Sequence, residues 1–262
     1  MTFIHPLSTP FQSTLYRLGF AAACLLPFMS LHADEEGSSR SFKDHPHPPD
    51  VKLAEPPALE DPASFSMIVL GDPQSYTKFG INQPIFELLT AWSAAQKEKL
   101  KVKTVICTGD LVEHNDLLTT NGGVLYEGNN NGNQTSDQQW KNVSRAFERL
   151  DHVYPYIVTT GNHDVGYENA ENRNSRFPEY FNPARNPLWG KTLVATAPNA
   201  FGHHSLENAA YEFSDNAWGK LLVVVLEFQP REEAVKWAGE LVASGKYAGH
   251  KVILLTHSVL DT

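Results

Sequence analysis

The sequence predicts an α/β fold built on parallel strands, and three observations predict it. Short apolar runs end three times in a polar cluster that opens with glycine: Gly71-Asp72-Pro73, Gly109-Asp110 and Gly161-Asn162-His163-Asp164. A segment of helical period separates each run from the next, and a strand, a helix and a strand in that order form a right-handed parallel crossover. The apolar share of 41% over 262 residues is enough for the core of one full-sized domain.

At the amino-terminal end, Arg17 precedes an apolar run over 18–31, which is followed by Ala33 and then acidic residues. The run is shorter than the roughly 20 residues that a membrane span requires, and Pro27 interrupts it. Residues 1–33 therefore read as a cleaved export signal ending near Ala33, which sends the mature chain to a periplasmic or extracellular compartment. Cys24 follows three alanines, but apolar residues continue beyond it where a lipid-attached sequence turns polar. Residues 34–62, rich in Ser, Pro, His and acid, read as a disordered linker, in which His45 and His47 are assigned no ligand role. With the signal removed Cys107 is the only cysteine, so no internal disulfide can form.

The folded domain is expected over 63–262. Ser66-Met67-Ile68-Val69-Leu70 reads as a buried strand. Residues 82–99 predict an amphipathic helix with Ile85, Leu88, Leu89, Trp92 and Ala95 on its apolar face. A second buried strand is expected at 102–108 and an exposed, Asn- and Gly-rich loop at 121–134. Residues 136–150 predict a helix capped by Ser136, with Trp140, Val143, Phe147 and Leu150 on one side. A third strand is expected at 153–159. Residues 165–200 read as an irregular surface excursion covering a site. Paired strands at 211–213 and 221–226 flank a turn at Ser214-Asp215-Asn216. A helix at 232–242 points Val235, Ala238 and Leu241 inward, and a last strand at 251–255 delivers Thr256-His257.

Ligands of open α/β sheets sit beyond the carboxyl ends of the strands. Four such ends carry Asp72 with Gln74, Asp110, Asn162 with His163, and His257. Oxygen donors with imidazole suit hard or borderline divalent and trivalent metals, and the lack of a cysteine pair argues against a thiolate zinc site. The chemistry implied is metal-assisted hydrolysis. A net charge of -9, from 21 basic and 30 acidic residues, supplies no electrostatic reason for a nucleic-acid partner. No His-Glu-x-x-His pattern of a metallopeptidase occurs either.

At these residues the sequence resembles the calcineurin-like metallophosphoesterase superfamily, whose pattern runs D-x-H, G-D, G-N-H-[DE], an isolated His after a strand, and G-H-x-H. The resemblance covers roughly residue 65 to the end, and Gly161-Asn162-His163-Asp164 is its most specific part. It implies a four-layer α/β/β/α sandwich with an incomplete second sheet. The implied activity is hydrolysis of a phosphomonoester or phosphodiester by two metal ions, iron, manganese or zinc; separately, the short apolar run argues against a stable membrane span and the acidic balance against a nucleic-acid partner. Asp110 would bridge two ions about 3.5 to 4 Å apart, Asp72 and Gln74 would bind the first, and Asn162 and His257 the second. A metal-bridging hydroxide would attack phosphorus in line without a phosphoenzyme. His163 is implied as the non-ligand histidine that stabilises the phosphoryl group or protonates the leaving oxygen, and Glu113 as the acid that orients its ring. His114 and Asn115 read as solvated loop.

Two departures accompany the resemblance. Gln74 stands where His is commoner, and this neutral, weaker donor is expected to loosen the first metal or change its identity. The closing G-H-x-H is absent; Gly202-His203-His204-Ser205 lies before His257 and reads as loop. The chain is thus expected to be a fragment lacking that segment or a decayed member, and a non-catalytic binding protein of the same fold is the alternative to an enzyme. An in-frame Gly-His-x-His downstream of Thr262 would restore the full site.

Overall fold

A computed structural model of the chain describes residues 57–118, 125–126, 129–130, 132–167, 169–215 and 219–258. The expected export signal and the linker up to residue 56 lie outside them, as does Asn216 of the expected turn. Apart from Pro57, the described residues belong to one compact unit, Ala58–Thr262.

Strand β1 (Ser66–Leu70) leads through helices α1 (Gln74–Thr77) and α2 (Gln83–Ala95) to β2 (Val102–Cys107). A small antiparallel pair, β3 (Leu125–Tyr126) with β4 (Asn129–Asn130), lies inside the expected loop, of which 121–124, 127–128 and 131 are outside the described residues. Helix α3 (Ser136–Glu148) then leads to β5 (Ile157–Val158). Strands β1, β2 and β5 pair in parallel in that order, as the repeated strand–helix pattern requires. Two short helices follow, α4 (Phe177–Tyr180) and α5 (Trp189–Thr192). Next come β6 (Leu193–Pro198), β7 (His204–Asp215), β8 (Gly219–Val225), helix α6 (Glu232–Ala243) and β9 (Lys251–Leu255). The second sheet has the order β6-β7-β8-β9 and is mixed, because only β8 and β9 run parallel.

Alternation along β7 and β8 makes the layers. Ala209, Tyr211 and Phe213 of β7 and Leu221, Val223 and Val225 of β8 join one core with the first sheet and with Phe86, Trp140 and Phe147 of α2 and α3. Their neighbours Ala210, Leu222 and Val224 face the other way, into a second core with Ala234 and Ala238 of α6. The period of two in a strand thus gives one sheet two buried faces. The result is helix, sheet, sheet, helix, the α/β/β/α order expected. Leu59 already packs on the main core, so order begins before residue 63. Cys107 is fully buried, and burial pushes its thiol up to about 12, which leaves it inert as a nucleophile.

Several elements differ from the sequence reading. The apolar stripe of α2 faces outward: Leu88 is 69% exposed and Trp92 45%, whereas Phe86 is 3% exposed and Thr90 and Ser93 are buried. The Thr90 and Ser93 hydroxyls donate to helix carbonyls one turn back, so burying them leaves no donor unsatisfied. Glu87 pairs with Arg145 and Arg149 at the end of α3, which fixes the inward side. Helix α3 is capped by Thr135, not Ser136: Thr135 Oγ1 accepts the Gln138 N–H at 3.3 Å, and Gln138 Oε1 accepts the Thr135 N–H at 2.8 Å. Strand β5 is shorter than 153–159 because the N–H groups of Val153 and Tyr154 close the turn after α3 on Leu150, and Pro155 has no N–H to give.

The excursion at 165–200 contains α4, α5 and β6, and β7 starts at His204, well before residue 211. Polar residues inside β7 hide its period in the sequence. Glu207 and Asn208 are buried there, with the Glu207 carboxylate accepting from Asn199 and Ser205 and the Asn208 amide donating to Glu227. In α6, Ala234 takes the inward place expected for Val235, which is half exposed. No helix among the described residues is long and apolar enough to cross a membrane.

The reversed face of α2 is testable by chemical denaturation. Phe86→Ala is expected to lower stability by about 3 to 5 kcal/mol, and Trp92→Ala in this chain by no more than about 0.5 kcal/mol. Equal losses would return the helix to the orientation its apolar stripe suggests.

Candidate active site

Asp72 and Gln74 follow β1, Asp110 follows β2, and a 3-10 turn, Asn162–Asp164, follows β5. Because β1, β2 and β5 are parallel neighbours, these three ends lie on one side of the sheet. Strand β9 brings Thr256-His257 to the same side from the second sheet. The join is direct: His257 Nδ1 lies 2.8 Å from the Thr108 carbonyl oxygen, across 149 positions of sequence. A carbonyl only accepts, so Nδ1 carries a proton, and in the neutral ring Nε2 is the nitrogen that presents a lone pair.

That Nε2 is 3.5 Å from Asp110 Oδ2, while Nδ1 is 3.9 Å from Asp72 Oδ1. The Thr108 hydroxyl donates to Asp72 Oδ1 at 3.2 Å. On the opposite side of Asp110, Oδ1 accepts the His163 main-chain N–H at 3.1 Å. The His163 ring is held by its Nδ1, 2.7 Å from the main-chain oxygen of Glu113, which leaves Nε2 as its reactive nitrogen. Asp72, Asp110, His163 and His257 are therefore brought together as expected. Asn162 stands beside His163 on the same turn, and its side-chain amide donates to Asn169 Oδ1 at 2.7 Å. The Gln74 side chain has no hydrogen bond or ion pair to this set among the described residues; its Oε1 is buried and accepts from nothing.

Backbone geometry explains why glycine recurs. Gly109 has φ 103° and Asp110 φ 51°, both in the left-handed region. A Cβ on Gly109 would lie 2.7 Å from Gly161 N, and one on Gly161 would lie 2.0 Å from Asp110 Oδ1. Asp164 completes the loop pair: its Oδ1 accepts the N–H groups of Leu111 and Val112 at 2.8 and 3.1 Å, and its Oδ2 accepts that of Gly161 at 2.8 Å. Burial pushes the Asp164 carboxyl well above the ordinary carboxylate range, and the neighbouring Asp110 charge adds to this, against the three N–H donors. Burial also raises Asp110, opposed first by His257 and then by the His163 N–H.

These features bear on a metal. Among the described residues no group of three or more His, Cys, Asp or Glu side chains has metal-holding geometry. The expected donors, however, mix two carboxylates and one imidazole with the amide oxygens of Gln74 and Asn162. A buried orphan oxygen on Gln74 and a buried carboxylate on Asp110 are both conditions that a hard or borderline cation relieves. The donor chemistry fits.

Two expectations need correction. The Glu113 carboxylate does not orient His163; it pairs with Lys78 Nζ at 2.9 Å, and the main-chain carbonyl of residue 113 holds the ring. Asn115 is no solvated loop residue but fully buried, with His114 buried beside it. Asn115 Nδ2 donates to the carbonyls of Gly166 and Asn174, and its Oδ1 accepts the Arg176 N–H. His204 lies apart in the β6–β7 pair, its Nδ1 3.1 Å from the Thr196 hydroxyl. The sequence reading assigned no part to Thr108, Asp164 or Asn169. Of these only Asp164 sat within a recognisable pattern, and its part is visible only once three donors converge on it.

Residues 65–261 match the family profile described as calcineurin-like phosphoesterase. The chain is also 30% identical over 207 residues to the uncharacterized protein YvnB of Bacillus subtilis (strain 168). That alignment takes in 78% of this chain and spans 13% of the relative's length.

Asp164→Ala strands three buried N–H groups and is expected to lower stability by at least about 3 kcal/mol in urea unfolding. Asp164→Asn keeps an acceptor for the Leu111 and Val112 N–H groups but turns a donor toward that of Gly161, and is expected to lose about 1 to 3 kcal/mol. Wild-type stability in both variants would refute the anchoring role.

Proposed function

The chain belongs to the calcineurin-like phosphoesterase family, whose members are metal-dependent phosphoesterases, and on that footing we propose that it hydrolyses a phosphate monoester or diester. In this reading Asp72, Gln74, Asp110, Asn162 and His257 hold two divalent or trivalent ions. The main support is the Asp110 carboxylate, which has His257 Nε2 3.5 Å from one oxygen and the His163 N–H 3.1 Å from the other.

Bound cations supply Lewis acidity toward water and toward the phosphoryl oxygens. Asp110, a carboxylate with two oxygens, would be the residue to hold both ions. Because Gln74, Asn162 and the neutral His257 ring would be uncharged donors, this ligand set would contribute negative charge only through Asp72 and Asp110. With two dications held there the site would be net positive, which would favour an anionic substrate even in an acidic chain. His163, its Nδ1–H held by the Glu113 carbonyl, carries a proton on Nε2 only as the imidazolium, and in that form it can donate a hydrogen bond to a phosphoryl oxygen or give the proton to the leaving oxygen. The apolar run at 18–31 supports an extracytoplasmic setting for this chemistry, with a mature amino terminus near residue 34 that mass measurement of the exported protein checks.

The test is hydrolysis of p-nitrophenyl phosphate and its bis ester by the purified chain loaded with manganese, zinc or iron, with metal content measured alongside. Chelation is expected to abolish turnover, and Asp110→Asn to lower both metal content and kcat/KM. His163→Gln is expected to lower kcat by about 10² to 10⁴ with metal content unchanged. Full metal content without turnover would instead point to a non-catalytic binding protein of this fold.

A further inference from the structure

Asn162 donates its side-chain N–H to Asn169 Oδ1 at 2.7 Å. A carboxamide donates from one end and accepts at the other, and hard cations bind the oxygen, so the partner of the nitrogen decides which end is left for a metal. Asn169 is itself fixed by its loop. The Glu171 carboxylate accepts the main-chain N–H groups of Tyr167 and Asn169 at 2.8 and 3.1 Å. Gly166 N–H donates to the Asn174 carbonyl and Ala170 N–H to the Val165 carbonyl, both at 2.8 Å. Gly166 has φ 83°, and a Cβ there would lie 2.4 Å from Glu171 Oε2, so the turn requires glycine. The buried Asn115 then ties this loop to the one that carries Asp110, through its bonds to Gly166 at 2.7 Å and to the Arg176 N–H at 2.9 Å.

We infer that Asn169 is a positioning residue for the metal centre: by accepting the Asn162 N–H it leaves the Asn162 carbonyl oxygen as the end available to a cation. The inference rests on the metal-site reading above and extends it to a residue outside the Gly-Asn-His-Asp pattern. The Asn162–Asn169 bond is exposed, so it contributes little to stability. Its effect is to hold a two-ended side chain one way round, as groups that hydrogen-bond to metal ligands do elsewhere.

Binding of Mn(II) alone, followed by the EPR signal of free Mn(II), tests this without reference to turnover, and thermal unfolding of each variant monitors folding. Asn162→Ala is expected to weaken binding by about 100-fold and Asn169→Ala by about 10-fold, with unfolding of Asn169→Ala unchanged. Asn169→Asp, which can only accept, is expected to bind at least as tightly as wild type. In an Asn162→Ala background, exchange of Asn169 for Ala or Asp is expected to change nothing, because its effect passes through the Asn162 amide. Wild-type binding by Asn169→Ala, equal weakening by the Ala and Asp variants, or a tightening by Asn169→Asp that persists without Asn162 would each overturn the inference. A wild-type chain that takes up no Mn(II), or an Asn162→Ala variant that binds as the wild type does, would overturn the metal-site reading as well.

Discussion

Two main chains meet at Gly109 and Gly161 with no room for a side chain between them, and the rest of the site hangs on that contact. It lets the N–H of His163 reach the Asp110 carboxylate from the neighbouring loop. It also holds Asp110 at φ 51°, a conformation that costs a non-glycine residue about 1 to 3 kcal/mol and persists only when the surroundings fix it. Asp164 supplies the fixing. Its two oxygens collect N–H groups from both loops, Leu111 and Val112 on one and Gly161 on the other. One buried carboxylate thus clamps the backbone that presents the other.

A second constraint comes from the way the sheets face each other. With alternate residues of β7 and β8 buried against the first sheet, the carboxyl ends of β8 and β9 lie beside those of β2 and β5. Three threonines make the join. Thr108 receives the His257 ring on its carbonyl, Thr159 donates its hydroxyl to the Leu226 carbonyl at 3.0 Å, and Thr160 Oγ1 accepts the Phe228 N–H at 3.3 Å. The Phe228 ring then packs edge-on against His257 with centroids 6.1 Å apart. His257 is consequently aimed by the first sheet although the second sheet carries it, and its free nitrogen ends beside Asp110.

Much of this was legible in advance, for local reasons. An apolar run that stops at Gly-Asp reports both a buried strand and the tight turn after it, because burial and left-handed backbone each restrict the residues allowed. Repetition of the pattern with intervening helices entails parallel strands, and their ends must then gather on one side. Where the reading failed, the signal was not local. Helix α2 carries apolar residues and small hydroxyl residues at equally helical spacing, and only contact with α3 and the first sheet selects the Phe86, Thr90 and Ser93 side. Strand β7 was underestimated because the buried Glu207 and Asn208 look like surface residues until their partners on neighbouring elements are known.

The same division runs through the site. The strand-end positions of Asp72, Asp110, Asn162, His163 and His257 could be read from the chain alone, since the burial of each strand is written in its neighbours. Their orientations could not, because a hydrogen-bond partner is chosen by distance in space. Glu113 is the clearest case: its position three residues after Asp110 was readable, but folding sends its carboxylate to Lys78 and its carbonyl to His163. Asn115 and Asn169 carry no local mark of their parts either, because those parts consist of contacts with segments about 50 residues away for Asn115 and seven for Asn169.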